Sequence, residues 1–209
     1  MFRAAASSAL VVSGLIALSA CASSGPVQSA QTLPEVRVSQ PHLVAVPDSV
    51  RISARYTEKF STPLPTDPQQ AAVISGFRES EVLWDQSSEG LRLTAATPEW
   101  VTGAALTKLR KLVQSYASGN IVPVGVDRLY DTKITSLAAS TATVTSCDDG
   151  TAFNIADRAT GRTPAPVPVS QQYAFGVFGM RLVAGRWTLS SLTGVGYPDQ
   201  RVKACMQAA

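Results

Sequence analysis

Apolar residues recur along this chain with two different periods, and the change from one to the other divides it. From Asp67 to Gly119 the period is helical. Asp67-Pro68 opens the first helix, because Asp is a preferred N-cap and Pro is favoured at the first helical position. Val73, Ile74, Phe77 and Trp84 follow at near-helical spacing, and Gly90 is the stop. Gly76, a weak point in that helix, predicts close packing against a flat neighbour. Thr97-Pro98 repeats the start signal for a short piece, Glu99 to Val101. Thr102 then caps a longer helix whose apolar face is Ala105, Leu106, Leu109, Leu112, Val113 and Tyr116, ended by Gly119.

Beyond Gly119 the period becomes two. Ile121 to Leu137 reads as one or two strands interrupted around Pro123 to Gly125. The β-branched run Thr141 to Cys147 reads as a strand that ends at a turn, Asp148-Asp149-Gly150. Phe153 to Asp157 is a short strand turned by Ala159-Thr160-Gly161, and Pro164, Pro166 and Pro168 make an exposed loop. Gln172 to Val183 and Arg186 to Val195 form a hairpin across Ala184-Gly185. Gly176 and Gly179 predict bulges or bends in its first strand. Alternation puts Trp187 and Leu189 on one face, with Phe175 and Val177 as neighbours across it. Helices first and antiparallel strands afterwards is an α+β order, with the helices buried against a curved sheet.

The N-terminal pattern is of another kind. One cation, Arg3, precedes an apolar run from Ala9 to Leu18, which is the layout of a secretory signal. Leu18-Ser19-Ala20-Cys21 is similar to the bacterial lipobox. That similarity implies a signal peptide over 1–20 and a lipidated Cys21 as first mature residue, on the outer face of a cell membrane. The run is well short of the roughly twenty residues a spanning helix needs. From 21 to 66 the chain reads as a tether, broken by Pro26, Pro34, Pro41, Pro47, Pro63 and Pro65. Val44-Ala45-Val46 and Val50-Arg51-Ile52 have strand-like composition within it, which allows an edge strand. The domain proper is expected over 67–209.

Charge and cysteine content narrow the picture. Loss of Arg3 with the signal takes the net charge from +3 to +2, and no basic run is clustered, so nucleic acid is not an expected partner. With Cys21 lipidated, Cys147 and Cys205 remain as an even pair in an oxidising compartment, and one disulfide is the economical reading.

At the level of fold, the order of elements resembles the cone of nuclear transport factor 2-like proteins. More narrowly, Pro68 to Cys205 resembles a family of secreted proteins and lipoproteins of high-GC Gram-positive bacteria, mostly of unknown function. The carrying residues are Thr102-Gly103-Ala104-Ala105-Leu106, Ala142-Thr143-Val144-Thr145-Ser146-Cys147-Asp148 and Asp157-Arg158-Ala159-Thr160-Gly161. Gly185-Arg186-Trp187, where the family pattern has Gly-Gly-Trp, and a last cysteine near the C-terminus complete them. The resemblance implies N-terminal helices packed on a curved antiparallel sheet and a Cys147–Cys205 bond. It implies no activity.

Enzymes of that cone fold hold an acid–base pair in the apolar interior, where burial tunes it. The single histidine, His42, lies in the tether, so a His/Asp dyad inside the domain is excluded. Asp127 and Asp131 are expected on one strand face, with Tyr130 and Tyr173 as donors, and these four are the candidate pocket residues. Asp148-Asp149 lacks further oxygen ligands at calcium spacing, and neither a zinc spacing nor a phosphate-cradling glycine loop is present, so no metal or cofactor is expected. The sequence therefore supports a membrane-anchored module that binds an envelope protein or an apolar ligand without turnover. A cone-fold acid–base enzyme is the alternative. The interior discriminates them: a deep pocket with a buried Asp and Tyr favours the enzyme, a plugged apolar interior the module.

Overall fold

The computed structural model describes residues 43–209. Cys21, the lipobox and His42 lie outside the described residues. Among the described residues no helix is long and apolar enough to cross a membrane. Two short strands come first, β1 (Ser49–Arg51) and β2 (Tyr56–Phe60), followed by helices α1 (Pro68–Glu89), α2 (Thr97–Trp100) and α3 (Gly103–Gly119). Two long strands, β3 (Ile121–Leu137) and β4 (Thr141–Asp157), precede the hairpin β5 (Tyr173–Val183) and β6 (Arg186–Gly196). A final helix, α4, covers Gln200–Ala208. The six strands form one sheet in sequence order. All neighbours are antiparallel except β2 and β3, which run parallel. That one parallel pairing demands a crossover, and α1 to α3 supply it. The fold is α+β, with the N-terminal helices packed on an open, mostly antiparallel sheet.

The helix starts fall close to where the residues predict, but of the three signals only Asp67 forms a capping bond. Thr97 lies inside α2, whose cap position is Ala96, and Thr102 caps α3 without a side-chain hydrogen bond. Asp67 accepts a hydrogen bond from the Gln70 backbone N–H at 2.8 Å, closing the start of α1. Val73, Ile74 and Phe77 bury one face of α1, and Ala105, Leu109 and Val113 bury that of α3. The Phe77 ring meets Phe178 of β5 edge-on at 4.7 Å. Gly76 is where α1 seats on β6. A Cβ at that position would lie 2.3 Å from the Trp187 carbonyl oxygen, a backbone atom that cannot step aside. Gly76→Ala therefore forces the helix off the sheet. An expected loss of about 1–3 kcal/mol is checked by urea unfolding of wild type and variant.

Several boundaries differ from the sequence reading. Residues 43–66 are not free tether, because β1 and β2 belong to the sheet. Arg78 of α1 explains their attachment. Its guanidinium is 2 % exposed, pairs with Asp48 at 2.8 Å, and also donates to the carbonyls of Val46 and Thr62. Its cation lies 5.1 Å from the centre of the Phe60 ring. Ile121 to Leu137 is a single strand, and its irregularities are bulges near Asp127, Asp131 and Thr135. Asp148-Asp149-Gly150 is not a turn: β4 runs through it to Asp157, paired with both neighbours. Opposite Trp187 stands Leu182, and opposite Leu189 stands Met180; Phe175 pairs with Val195 and Val177 with Thr193. The shift at Gly179/Met180 is the bulge that produces this register. Ala184 and Gly185 both have positive φ, the signature of a type I′ hairpin turn. Helix α4 is absent from the sequence reading. It is pinned by the Cys147–Cys205 disulfide and by Tyr130, whose hydroxyl donates to the Cys205 carbonyl at 2.7 Å.

Candidate functional site

The concave side of the sheet and helices α1 and α3 enclose two adjoining cavities of about 460 Å³ and 310 Å³. Trp84, Asp85, Asp127, Asp148 and Ala174 belong to the walls of both. Tyr56, Tyr116, Phe153 and Tyr173 line only the first, and Glu58, Glu81, Phe175 and Phe178 only the second. Volumes of this size suit a small ligand.

Five carboxyl side chains line the second cavity, Glu58, Glu81, Asp85, Asp127 and Asp148, and the last three line the first as well. Each is placed by a simple local rule. In β2 the alternation Tyr56, Glu58, Phe60 points all three side chains inward, so Glu58 is only 1 % exposed. In α1, Glu81 and Asp85 stand one and two helical turns beyond Phe77, on the face that the sheet covers. In β4, consecutive residues point to opposite faces. Asp148 turns in, while Asp149 turns out to the Arg128 guanidinium at 2.7 Å. Asp127 reaches the same interior from β3.

The electrostatics follow from burial without a counter-ion. Among the described residues, the ion pairs of Arg78, Arg128, Lys133, Arg186 and Arg201 all go to other carboxylates. Loss of water is the largest cause that raises Glu58, Glu81, Asp127 and Asp148 above the usual carboxylate range. Neighbouring negative charge adds to it. Asp85 is pushed up to about 7, again by burial first, although hydrogen bonds from Glu58 and Tyr56 oppose the rise. The Tyr56 hydroxyl donates to Asp85 Oδ2 at 2.8 Å, and burial pushes that phenol far above its ordinary range. Asp127 and Asp148 act on each other, and the neighbouring Asp127 raises Asp148 further after burial. Two buried carboxyl oxygens, Glu58 Oε2 and Glu81 Oε1, accept no hydrogen bond from any N–H or hydroxyl group of the described residues. No three His, Cys, Asp or Glu side chains among the described residues are grouped closely enough to hold a metal ion.

The four residues singled out from sequence are divided by the structure. Asp127 and Tyr173 line the first cavity. Asp131 does not share their face, because the bulge between Tyr130 and Lys133 rotates it away. It has φ +49°, is 43 % exposed and pairs with Lys133 at 2.7 Å. Tyr130 is buried beneath the disulfide on the far side of the sheet, its hydroxyl held by α4. Burial pushes that hydroxyl up to about 12. Sequence reasoning missed Tyr56, Glu58, Glu81, Asp85 and Asp148.

No protein-family model matches the chain, and no curated protein matches it. Among solved structures, the chain is similar to an NTF2-like protein with a cystatin-like fold from Novosphingobium aromaticivorans. The identity there is 12%, with 65% of this chain and 89% of that one covered, at a TM-score of 0.42. It is also similar to Aln2 from a Streptomyces species, at 13% identity, 68% and 99% coverage and a TM-score of 0.43. The intermembrane space region of the chloroplast protein ARC6 is similar at 12% identity, 64% and 99% coverage and a TM-score of 0.42. These likenesses concern the course of the chain alone and leave its activity to be argued from the cavity.

Proposed function

We propose that this chain is an extracytoplasmic lipoprotein, anchored to the outer face of a cell membrane through Cys21, whose cone interior binds a small ligand without turning it over. The motifs shared with secreted proteins and lipoproteins of high-GC Gram-positive bacteria support the placement. Strands β1 and β2 remove residues 49–60 from the expected tether. The observation that carries the reading is the paired cavity with carboxyls in its walls. Those carboxyls speak against a wholly apolar ligand, so the occupant is polar at one end.

The buried Asp85 and Tyr56 give the acid–base enzyme its specific support, since a carboxyl pushed up to about 7 is poised for proton transfer. A deep pocket with a buried Asp and Tyr is the feature expected of the enzyme, and the scarcity of cations in its walls is what favours binding instead. Proton abstraction from carbon creates an anion, and catalysis needs positive potential aimed at it. Here the groups around Tyr56 and Asp85 are further acids, Glu58, Glu81, Asp127 and Asp148, any of which opposes new negative charge once ionised. Among the described residues, Lys108 is the one cation in the lining of the two cavities.

The test has two arms. Cys21→Ser is expected to move the protein from the membrane pellet to the medium, or leave an uncut precursor, and unchanged detergent partitioning contradicts the anchor. Full-length protein extracted gently from its host membrane is expected to show one bound small molecule of unchanged mass by native mass spectrometry. If a folded Asp85→Asn variant keeps that molecule yet loses the protein's cellular role, turnover replaces binding.

A further inference from the structure

We propose that the ligand is a small organic ammonium ion that carries N–H donors on an apolar body. The inference rests on the cavity reading above and names the chemistry of the occupant. A cluster of acids alone would say little, because protons can neutralise it. The second observation is the pair of orphaned acceptors. Glu58 is 1 % exposed, yet no N–H or hydroxyl of the described residues donates to its Oε2, and the buried Glu81 Oε1 likewise receives none. Nearly all buried polar atoms are satisfied in folded proteins, so two empty acceptors on one cavity mark the place of a donor.

The walls specify the kind of donor. A bare metal ion finds no group of three acid ligands among the described residues. A quaternary ammonium brings charge but no N–H to satisfy Glu58 Oε2 or Glu81 Oε1. A protonated amine brings both. Its body would lie against Trp84, Tyr116 and Phe153 in the first cavity, or Phe175 and Phe178 in the second. Aromatic faces also attract the cation itself.

Proton linkage follows from the groups that face the site. From β2 these are Tyr56 and Glu58; from α1, Glu81 and Asp85; from β3 and β4, Asp127 and Asp148. From α3 come the Tyr116 hydroxyl and Lys108, whose ammonium donates to the Leu192 carbonyl at the rim. From β5 comes the Tyr173 hydroxyl. Burial raises the carboxyls, Asp85 to about 7 and Glu58 and Asp148 well above their ordinary range, so an entering ammonium favours release of their protons. Binding therefore releases protons and tightens as pH rises.

Calorimetry on the full-length protein in detergent tests this with three probes of one shape: phenethylammonium, phenethyl alcohol and phenethyltrimethylammonium. Phenethylammonium is expected to bind at least tenfold more tightly than the other two, and tenfold more tightly at pH 8 than at pH 5.5. Its heat is expected to depend on the buffer in the sense of proton release. Glu58→Gln should weaken it tenfold or more, with Glu81→Gln as the second variant should the first not fold, while Asp131→Asn leaves it unchanged. Equal binding by the alcohol overturns the ammonium assignment and leaves the cavity reading intact. Equal binding by the quaternary ion overturns the requirement for N–H. If none of the three binds, the assignment falls, and the molecule retained in native extracts decides the cavity reading separately.

Discussion

Raising the pH from 5 to 8 is expected to lower the melting temperature of this protein, by roughly 5–10 °C. The carboxyls of the cavity are the cause. A group whose acid form is favoured by folding binds its proton more tightly in the native state than in the unfolded chain. Stability is then full below the unfolded value, near 4, and is lost as pH climbs to the folded value. Asp85 alone, raised from 3.8 to about 7, accounts for about 3 kcal/mol between pH 5 and 8. Glu58, Glu81 and Asp148 are raised well above their ordinary values and act in the same direction. Asp149, Asp157 and Asp199 are held low instead, so their contribution is lost only below the ordinary carboxylate range. Scanning calorimetry from pH 5 to 8 checks the sign, and Asp85→Asn should flatten the slope and raise the melting temperature at pH 8. A melting temperature that climbs steadily over that range contradicts the account.

Loss of the Cys147–Cys205 disulfide is expected to cost about 4 kcal/mol and roughly 8–16 °C of melting temperature. The bond closes a loop of 58 positions, and its removal returns that loop's freedom to the unfolded chain. The native state suffers as well. Helix α4 has nine residues, too few to persist without packing. Cys205 and Val202 are its buried anchors, and the Cys205 carbonyl is the partner of the Tyr130 hydroxyl. In a Cys147→Ser, Cys205→Ser double variant the amide protons of α4 should exchange freely while those of β4 and β5 stay protected. Equal melting temperatures for the oxidised and reduced protein contradict this.

The parts of the fold that were legible in sequence are those written in local chemistry. Asp67-Pro68, Thr97-Pro98 and Thr102 mark helix starts because start signals are carried by adjacent residues, although only Asp67 closes its helix with a side-chain hydrogen bond. Gly76 announced its close approach for the same reason. The acid cavity was not legible because its members come from four elements far apart in the chain. Asp148 was hidden by composition: Asp-Asp-Gly reads as a turn unless partners on both sides hold it in a strand. Glu58 did carry a signal, since the alternation Tyr56, Glu58, Phe60 places an acid between two aromatic residues on one face. So did Glu81 and Asp85, which continue the buried face of α1 at helical spacing from Phe77. Asp131 and Tyr130 failed as candidates because period-two reasoning assumes an unbroken strand, and β3 is bulged at that point.

The chemistry of the cavity depends on carboxyl groups that burial raises above the ordinary range, Asp85 to about 7. Carbon-13 resonances of the Asp and Glu side-chain carboxyls, followed from pH 3 to 9 in the ligand-free protein, measure this directly. Asn and Gln substitutions at Asp85 and Glu58 assign the two decisive signals. The account predicts that Asp85 titrates at about 7 and that Glu58 titrates well above the ordinary carboxylate range. Midpoints near 4 for both, as in an unfolded chain, would contradict it.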